Sequence, residues 1–323
     1  MIEKIERHLY IEFSLGKVPN LDGGLLTEEK YRRELNENHG VIPNLTEYLT
    51  DFEAAIKNGK KRLSMDDFSA VGDCFFDSII VDIGGNDSQL NGGYFQTKSG
   101  FYKKNDGSYG YHVTISLAND GNIEKLKIVF AHELTHAYDD FCRKTGRKNG
   151  KPSLTLLDLD KKIGTKRAIL ISLANGGEPV KALGLMLYYL NDAEKNAYIG
   201  QTYAELINNI EKISDSSTAF QELKKTEAWD IYVWLRKNIK YLQNLVKDNS
   251  EEAKGKKHIL LWAYEFITTI KEKDFSRLVK YLIKKYKVWE HHFLNQASKM
   301  VYDAYCDFSI NKFSKNGRSD SVC

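Results

Sequence analysis

Two histidines and a glutamate in the stretch 131–140 are the side chains of this sequence best suited to chemistry. His132 and His136 stand four positions apart, and a helical turn takes about 3.6 residues, so on a helix both imidazoles point the same way. Together they could hold a metal ion, while Glu133, one position along, could reach a water on that ion. The spacing therefore predicts a metal centre of a hydrolytic kind, provided that the stretch is helical.

The surrounding residues predict that this stretch is helical. Asn119-Asp120-Gly121-Asn122 supplies turn and capping residues directly before Ile123, where a helix can begin. Apolar residues then recur three or four positions apart and make one apolar face: Leu126, Phe130, Leu134, Ala137 and Phe141. Another face carries Val129, His132, His136 and Asp139. Such a helix can bury one side in a core and turn the other towards a cleft.

The sequence of the motif resembles that of the active-site helix in known metallopeptidases. His-Glu-Leu-Thr-His-Ala is similar to the active-site helix of the thermolysin family, and the longer His-Glu-x-x-His-Ala-Tyr-Asp-Asp resembles the neprilysin and anthrax lethal factor types. All three are gluzincins, and the resemblance covers this helix and one later segment. It implies a zincin-like fold, a catalytic Zn²⁺ and a protein or peptide substrate. It also implies that Glu133 acts as the general base and that a later glutamate is the third metal ligand.

The third ligand implied by this resemblance is Glu194. The metzincin alternative requires a glycine and a histidine where this chain has Asp139 and Cys142. Glu194 lies in Asn191-Asp192-Ala193-Glu194-Lys195-Asn196-Ala197, which resembles the Asn-x-x-Glu-x-x-Ala segment around the gluzincin ligand. A structural interpretation stays open, because an asparagine followed three positions later by a glutamate is also typical of a helix start.

Several further side chains are candidates for supporting roles. Metal-bound histidines usually donate their outer N–H to a carboxylate or a carbonyl, which favours Asp139 and Asp140, one turn after His136. The resemblance favours Asp139, since Tyr198 stands where gluzincins often carry the orienting aspartate. Four side chains are candidates to donate a hydrogen bond to an oxyanion: Tyr188, Tyr189, His291 and His292. For each of them the alternative is a purely structural role in packing. Adjacent helical residues point about 100° apart, so at most one of the two histidines can face a cleft.

The periodicity predicts an α+β fold in three parts. Residues 1–65 form an N-terminal helical region, residues 66–213 a zincin-like core, and residues 214–323 a large helical C-terminal part. In the core, strands are expected at 76–83, 93–97 and 111–117, giving a small twisted, mostly antiparallel sheet packed on the HExxH helix. An edge strand between residues 95 and 117 would line the cleft. His112 is either a cleft residue or a half-buried strand histidine.

Composition narrows the functional classes. The 323 residues carry a net charge of +3 with nearly balanced acids and bases, which gives no indication of nucleic-acid binding. No apolar run has the length of a membrane span, and Met1–Arg7 lacks the apolar core of a signal peptide. The four cysteines show no paired spacing, so we expect free thiols. The expected location is cytoplasmic, or outside the cell after release without a conventional signal peptide.

The function expected from the sequence is that of a zinc-dependent endopeptidase. Two alternatives remain open: a catalytically inactive zincin-fold protein with a structural or binding role, and a zinc amidase that acts on cell-wall peptides. Intact Glu133 disfavours the first alternative, and activity on purified murein would identify the second.

Overall fold

The structure is a computed structural model, and it describes residues 42, 45–68, 74–84, 96–119, 121–144, 177–209, 212, 216–268 and 270–294. Most of the predicted N-terminal helical region and the first residues of the strand predicted at 93–97 lie outside these ranges. The fold is mixed α+β, with four strands in one sheet and mostly helical structure elsewhere in the described residues. None of the described helices is long and apolar enough to cross a membrane.

The first elements build the sheet and lead into the histidine-bearing helix. Their order is α1 (Leu45–Lys57), β1 (Arg62–Leu63), a short 3₁₀ helix (Met65–Phe68), β2 (Ser78–Ile83), β3 (Gln96–Lys103), β4 (Tyr109–Leu117) and α2 (Ile123–Lys144). Asn122 caps α2, since its Oδ1 accepts a hydrogen bond from the Lys125 backbone N–H at 3.0 Å. The predicted start of the helix is therefore confirmed.

The later described elements are all helical. They are α3 (Glu178–Tyr189), α4 (Asp192–Asn208), α5 (Ser216–Leu223), α6 (Glu227–Lys247), α7 (Glu251–Thr268) and a helix over residues 275–294, called α8 here. α3 and α4 are separated only by Leu190 and Asn191, so that Glu194 lies in the first turn of α4.

The sheet has the strand order β1-β2-β4-β3. β1 pairs antiparallel with β2, β2 parallel with β4, and β3 antiparallel with β4, so two of the three pairings are antiparallel. The hairpin between β3 and β4 turns at Gly107, whose φ of 87° lies in the left-handed region. Within the described residues β3 covers Gln96–Lys103 and thus extends beyond the predicted end at 97, because its pairing with β4 continues to the turn.

One face of β4 is buried and the other is half-exposed. Tyr111, Val113, Ile115 and Leu117 are at most 2% exposed, and the residues between them are half-buried, as the alternation of a strand requires. His112 is on the half-exposed face, where its Nδ1 lies 3.0 Å from Ser78 Oγ and its Nε2 lies 2.8 Å from Thr114 Oγ1. His112 is therefore a half-buried strand histidine, and together with Ser78 and Tyr102 it also lines an open pocket on this face of the sheet.

The buried face of the sheet packs against α2. The Tyr111 hydroxyl donates to Asp140 Oδ2 at 2.7 Å and lies 3.1 Å from the carbonyl oxygen of Ala137. Ser99 of β3 donates to the same Asp140 oxygen at 3.3 Å, and the ring of Phe101 is 6.4 Å from that of Phe141. The expected packing of the sheet on this helix is therefore present, with β3 and β4 beside its C-terminal half.

By its contacts the chain divides into two compact units. The described part of the first unit contains α1, the sheet, α2, α4 from Asn196 onward and α5; that of the second contains α3, residues 192–195, α6, α7 and α8. The predicted three-part division at residues 65 and 213 stays a prediction, because compactness does not test which parts fold independently.

Aromatic side chains form much of the core of each unit. In the first unit, Phe52 of α1 stacks on Phe130 of α2 with ring centroids 4.3 Å apart and planes 4° from parallel. In the second unit, Tyr232 of α6 stacks on Trp289 of α8 at 6.5 Å. Stacked pairs of this kind add about 0.5–1.5 kcal/mol to the free energy gained by burying the rings.

Candidate metal centre

The helix α2 presents the predicted side chains as expected from its periodicity. All five residues of the predicted apolar face are buried, at most 9% exposed: Leu126, Phe130, Leu134, Ala137 and Phe141. His132 and His136 are half-buried, so their imidazoles remain accessible. Burial of one face thus fixes the direction in which the histidine pair points.

His132, Glu133 and His136 form a group that could hold a metal ion. One potential ligand atom from each residue lies within 4.8 Å of those of the other two. The two imidazole rings are 5.0 Å apart between centroids and 80° from parallel, which lets both turn a nitrogen towards a shared point. Glu133 is only 7% exposed, and a buried carboxylate calls for a cationic or hydrogen-bonding partner.

A second helix of the same unit, α4 from Asn196 onward, lies against this face of α2. Gln201 Oε1 is 3.0 Å from His132 Nδ1, and the Tyr198 ring meets the His132 ring edge-on with centroids 4.9 Å apart. Asn196 Nδ2 donates to Asp139 Oδ2 at 2.6 Å. The contacts run in opposite directions along the two helices, so α2 and α4 pack antiparallel.

Comparisons with protein-family models, with curated proteins and with solved structures found no match to this chain.

The two aspartates expected to support the histidines have other contacts. Asp139 is 4% exposed and is held by Asn196, and Asp140 is 8% exposed and is held by Tyr111 and Ser99. Both carboxylates thus tie α2 to its neighbours, one to a helix and one to the sheet. Their predicted role towards His132 or His136 stays a prediction.

Glu194, the expected third ligand, is 3% exposed in the first turn of α4 and belongs to the second compact unit. The pKa of the Tyr189 phenol, in the same unit, is raised mainly by burial and further by the negative charges of Glu227 and Glu194. Ligation by Glu194 of a metal held by the histidine pair stays a prediction.

The four candidate oxyanion donors all belong to the second unit. The Tyr188 and Tyr189 rings contact each other at 5.4 Å, and Tyr189 also contacts Trp234 at 5.8 Å, which is ordinary aromatic packing. On α8, His291 is exposed and His292 is half-buried, as expected for neighbours pointing in different directions. Their predicted catalytic role stays a prediction.

Sequence reasoning missed the contacts that Asn196, Gly200 and Gln201 of α4 make with α2. Asn196, Gln201 and Gly200 are 57 or more positions from the residues they meet on α2, and no local pattern reports such a pairing. The available signal is the run of polar residues at 194, 201 and 205, spaced as one helix face within a helix that is otherwise largely apolar and small.

Proposed function

We propose that this protein is a zinc-dependent endopeptidase of the gluzincin type. The observation that carries the proposal is the grouping of His132, Glu133 and His136 within 4.8 Å on one helix, with both imidazoles accessible. Two imidazoles with a nearby carboxylate suit zinc, and fewer than four protein ligands leave room for water and substrate.

The residues present fit a metal at this point. Since the His132 Nδ1 is engaged by Gln201, its Nε2 is the nitrogen available for a metal. Glu194 is proposed as the third ligand, because its segment Asn191-Asp192-Ala193-Glu194-Lys195-Asn196-Ala197 resembles the one that carries the gluzincin ligand. When bound, zinc would lower the pKa of a coordinated water to about 7 and polarise a peptide carbonyl.

Glu133 supplies the proton transfer in the proposed reaction. Its carboxylate would take the proton of the attacking water and pass it to the leaving amine, which is general base and then general acid catalysis. The buried position of Glu133 keeps bulk water from competing for that proton.

β3 offers a surface for an extended substrate. It is an edge strand within the described sheet, paired on one side with β4, and it lies beside the C-terminal half of α2. An edge strand presents alternating backbone N–H and C=O groups to which a peptide can add as a further strand. This favours a peptide over a compact non-protein substrate.

The proposal is tested with Glu133→Gln, which keeps the size of the side chain and removes its basicity. We expect the variant to bind zinc like the wild type and to lose turnover of a peptide library by about 10²–10⁴-fold. Glu251→Gln is the matched control, since the Glu251 side chain is 89% exposed on α7. Full activity in Glu133→Gln, or a wild type that binds zinc and cleaves no peptide, would contradict the proposal.

A further inference from the structure

The Nδ1 atom of His132 faces a hydrogen-bond acceptor on another helix. Gln201 Oε1 lies 3.0 Å away, within hydrogen-bonding distance. An amide oxygen can only accept, so the proton of that bond must be on the histidine nitrogen. The contact therefore places a proton on Nδ1, and for a neutral imidazole this means the Nδ1–H tautomer.

The orientation of the Gln201 amide is fixed by a second contact. Its Nε2 donates to Glu205 Oε1 at 3.0 Å, one turn further along α4. A carboxylate only accepts, so the amide nitrogen must face Glu205 and the amide oxygen must face His132. The three side chains form a directed chain in which His132 donates to Gln201 and Gln201 donates to Glu205.

The surroundings hold this chain in place. Gln201 is 6% exposed, so its hydrogen bonds compete little with water and are stronger than at a surface. The Tyr198 ring meets the His132 ring edge-on at 4.9 Å and limits its rotation. Next to Gln201, Gly200 lies so close to Thr135 that the two helices are in direct contact.

We propose that Gln201, oriented by Glu205, is a positioning residue that fixes His132 as the Nδ1–H tautomer and leaves the Nε2 lone pair for the metal. The residue expected from the sequence in this role was a carboxylate, Asp139 or Asp140. A neutral amide fixes the same tautomer and makes the imidazole less basic than a carboxylate would. The metal part of this inference rests on the proposed function, and the tautomer part does not.

The tautomer is read directly by NMR of the metal-free, full-length protein labelled with ¹⁵N-histidine. The wild type should show a His132 imidazole protonated at Nδ1, assigned by the loss of its signals in His132→Asn. Gln201→Met keeps the length of the side chain but removes both hydrogen bonds, and should shift His132 to the Nε2–H form that imidazole favours in water. Gln243→Met, at an exposed position of α6, is the control. An Nε2–H tautomer in the wild type, or an unchanged tautomer in Gln201→Met, would overturn the inference.

The metal part is read by zinc affinity, measured in competition with a chelating dye. We expect the zinc affinity of Gln201→Met to be about 10–100-fold lower than that of the wild type, the range for partners of metal-bound histidines. The zinc affinity of Glu205→Gln should fall less, because the amide oxygen of the new glutamine can still accept a hydrogen bond from Gln201. Unchanged affinity in Gln201→Met, with the tautomer shifted, would overturn the positioning role. A wild type that binds no zinc would overturn the proposed function and this metal part together, and the NMR result would still decide the tautomer.

Discussion

Gly200 of α4 lies in close contact with Thr135 of the histidine-bearing helix, and Gly200→Ala tests that contact. A Cβ at this position would be 2.2 Å from Thr135 Oγ1 and 3.3 Å from Thr135 Cβ, whereas ordinary contacts are 3.4–4 Å. Thr135 cannot yield easily, because it is fully buried and its hydroxyl donates to the carbonyl oxygen of Ala131 at 2.7 Å. The helices must therefore separate by about 1 Å, or the hydroxyl must lose its partner.

The expected loss of stability follows from two opposing effects. Overpacking of this kind costs about 1–3 kcal/mol, and alanine gains back about 1 kcal/mol over glycine inside a helix. We expect Gly200→Ala to lower the free energy of unfolding by up to about 2 kcal/mol, measured by urea denaturation. The same separation would lengthen the 3.0 Å contact between Gln201 and His132, so zinc affinity should fall by about tenfold or more.

Two further variants show whether the contact itself is responsible. Gly255→Ala is the matched control on α7, where a Cβ meets nothing within 4 Å. It should raise the free energy of unfolding by about 0.5–1 kcal/mol. Thr135→Ala combined with Gly200→Ala removes the closest atom and should recover most of the loss, with a coupling energy of at least ~1 kcal/mol. If Gly200→Ala is as stable as Gly255→Ala, the close packing of α4 on α2 is refuted.

Two other expectations concern the packing of α1 on α2. Phe52→Ala removes a fully buried ring stacked on Phe130 and should lower the free energy of unfolding, measured in urea, by about 3–5 kcal/mol. Phe101 is 44% exposed, so Phe101→Ala should lower it much less, and equal losses would contradict the described core. The hydrogen bond from Lys127 lowers the pKa of Glu53, so its stabilisation is complete at neutral pH and is lost as the pH falls below about 4.3 through the folded-state value. In thermal melts, Glu53→Gln should therefore be less stable than the wild type at pH 7, with the difference shrinking in acid; a constant difference would count against the ion pair.

The local elements near the site could be predicted from the sequence. Asn122 caps α2 and the apolar residues after it repeat at helical spacing, so both the start and the buried face of the helix are encoded within about twenty residues. The sequence did not predict that β3 continues beyond residue 97, because Ser99-Gly100 has little strand propensity of its own. Its pairing with β4 overrides that local preference.

The contacts around the histidines could be predicted only in part. The grouping of His132, Glu133 and His136 follows from helix geometry, and the structure bears it out. Which side chain supports His132 depends on how α4 packs on α2, and that is set by the close approach of Gly200 to Thr135 rather than by any spacing in the sequence. For this reason the contact of Gln201 with His132 could not be predicted from the sequence.

The central claim is that a metal ion binds between His132 and His136, and elemental analysis of the purified protein after zinc loading and dialysis tests it most directly. His258→Ala, on an exposed position of α7, is the control for removing a histidine. We predict one zinc ion per chain in the wild type and in His258→Ala, and none in His136→Ala, with the same circular dichroism spectrum in all three. A wild type without zinc, or a His136→Ala variant that retains it, would contradict the account.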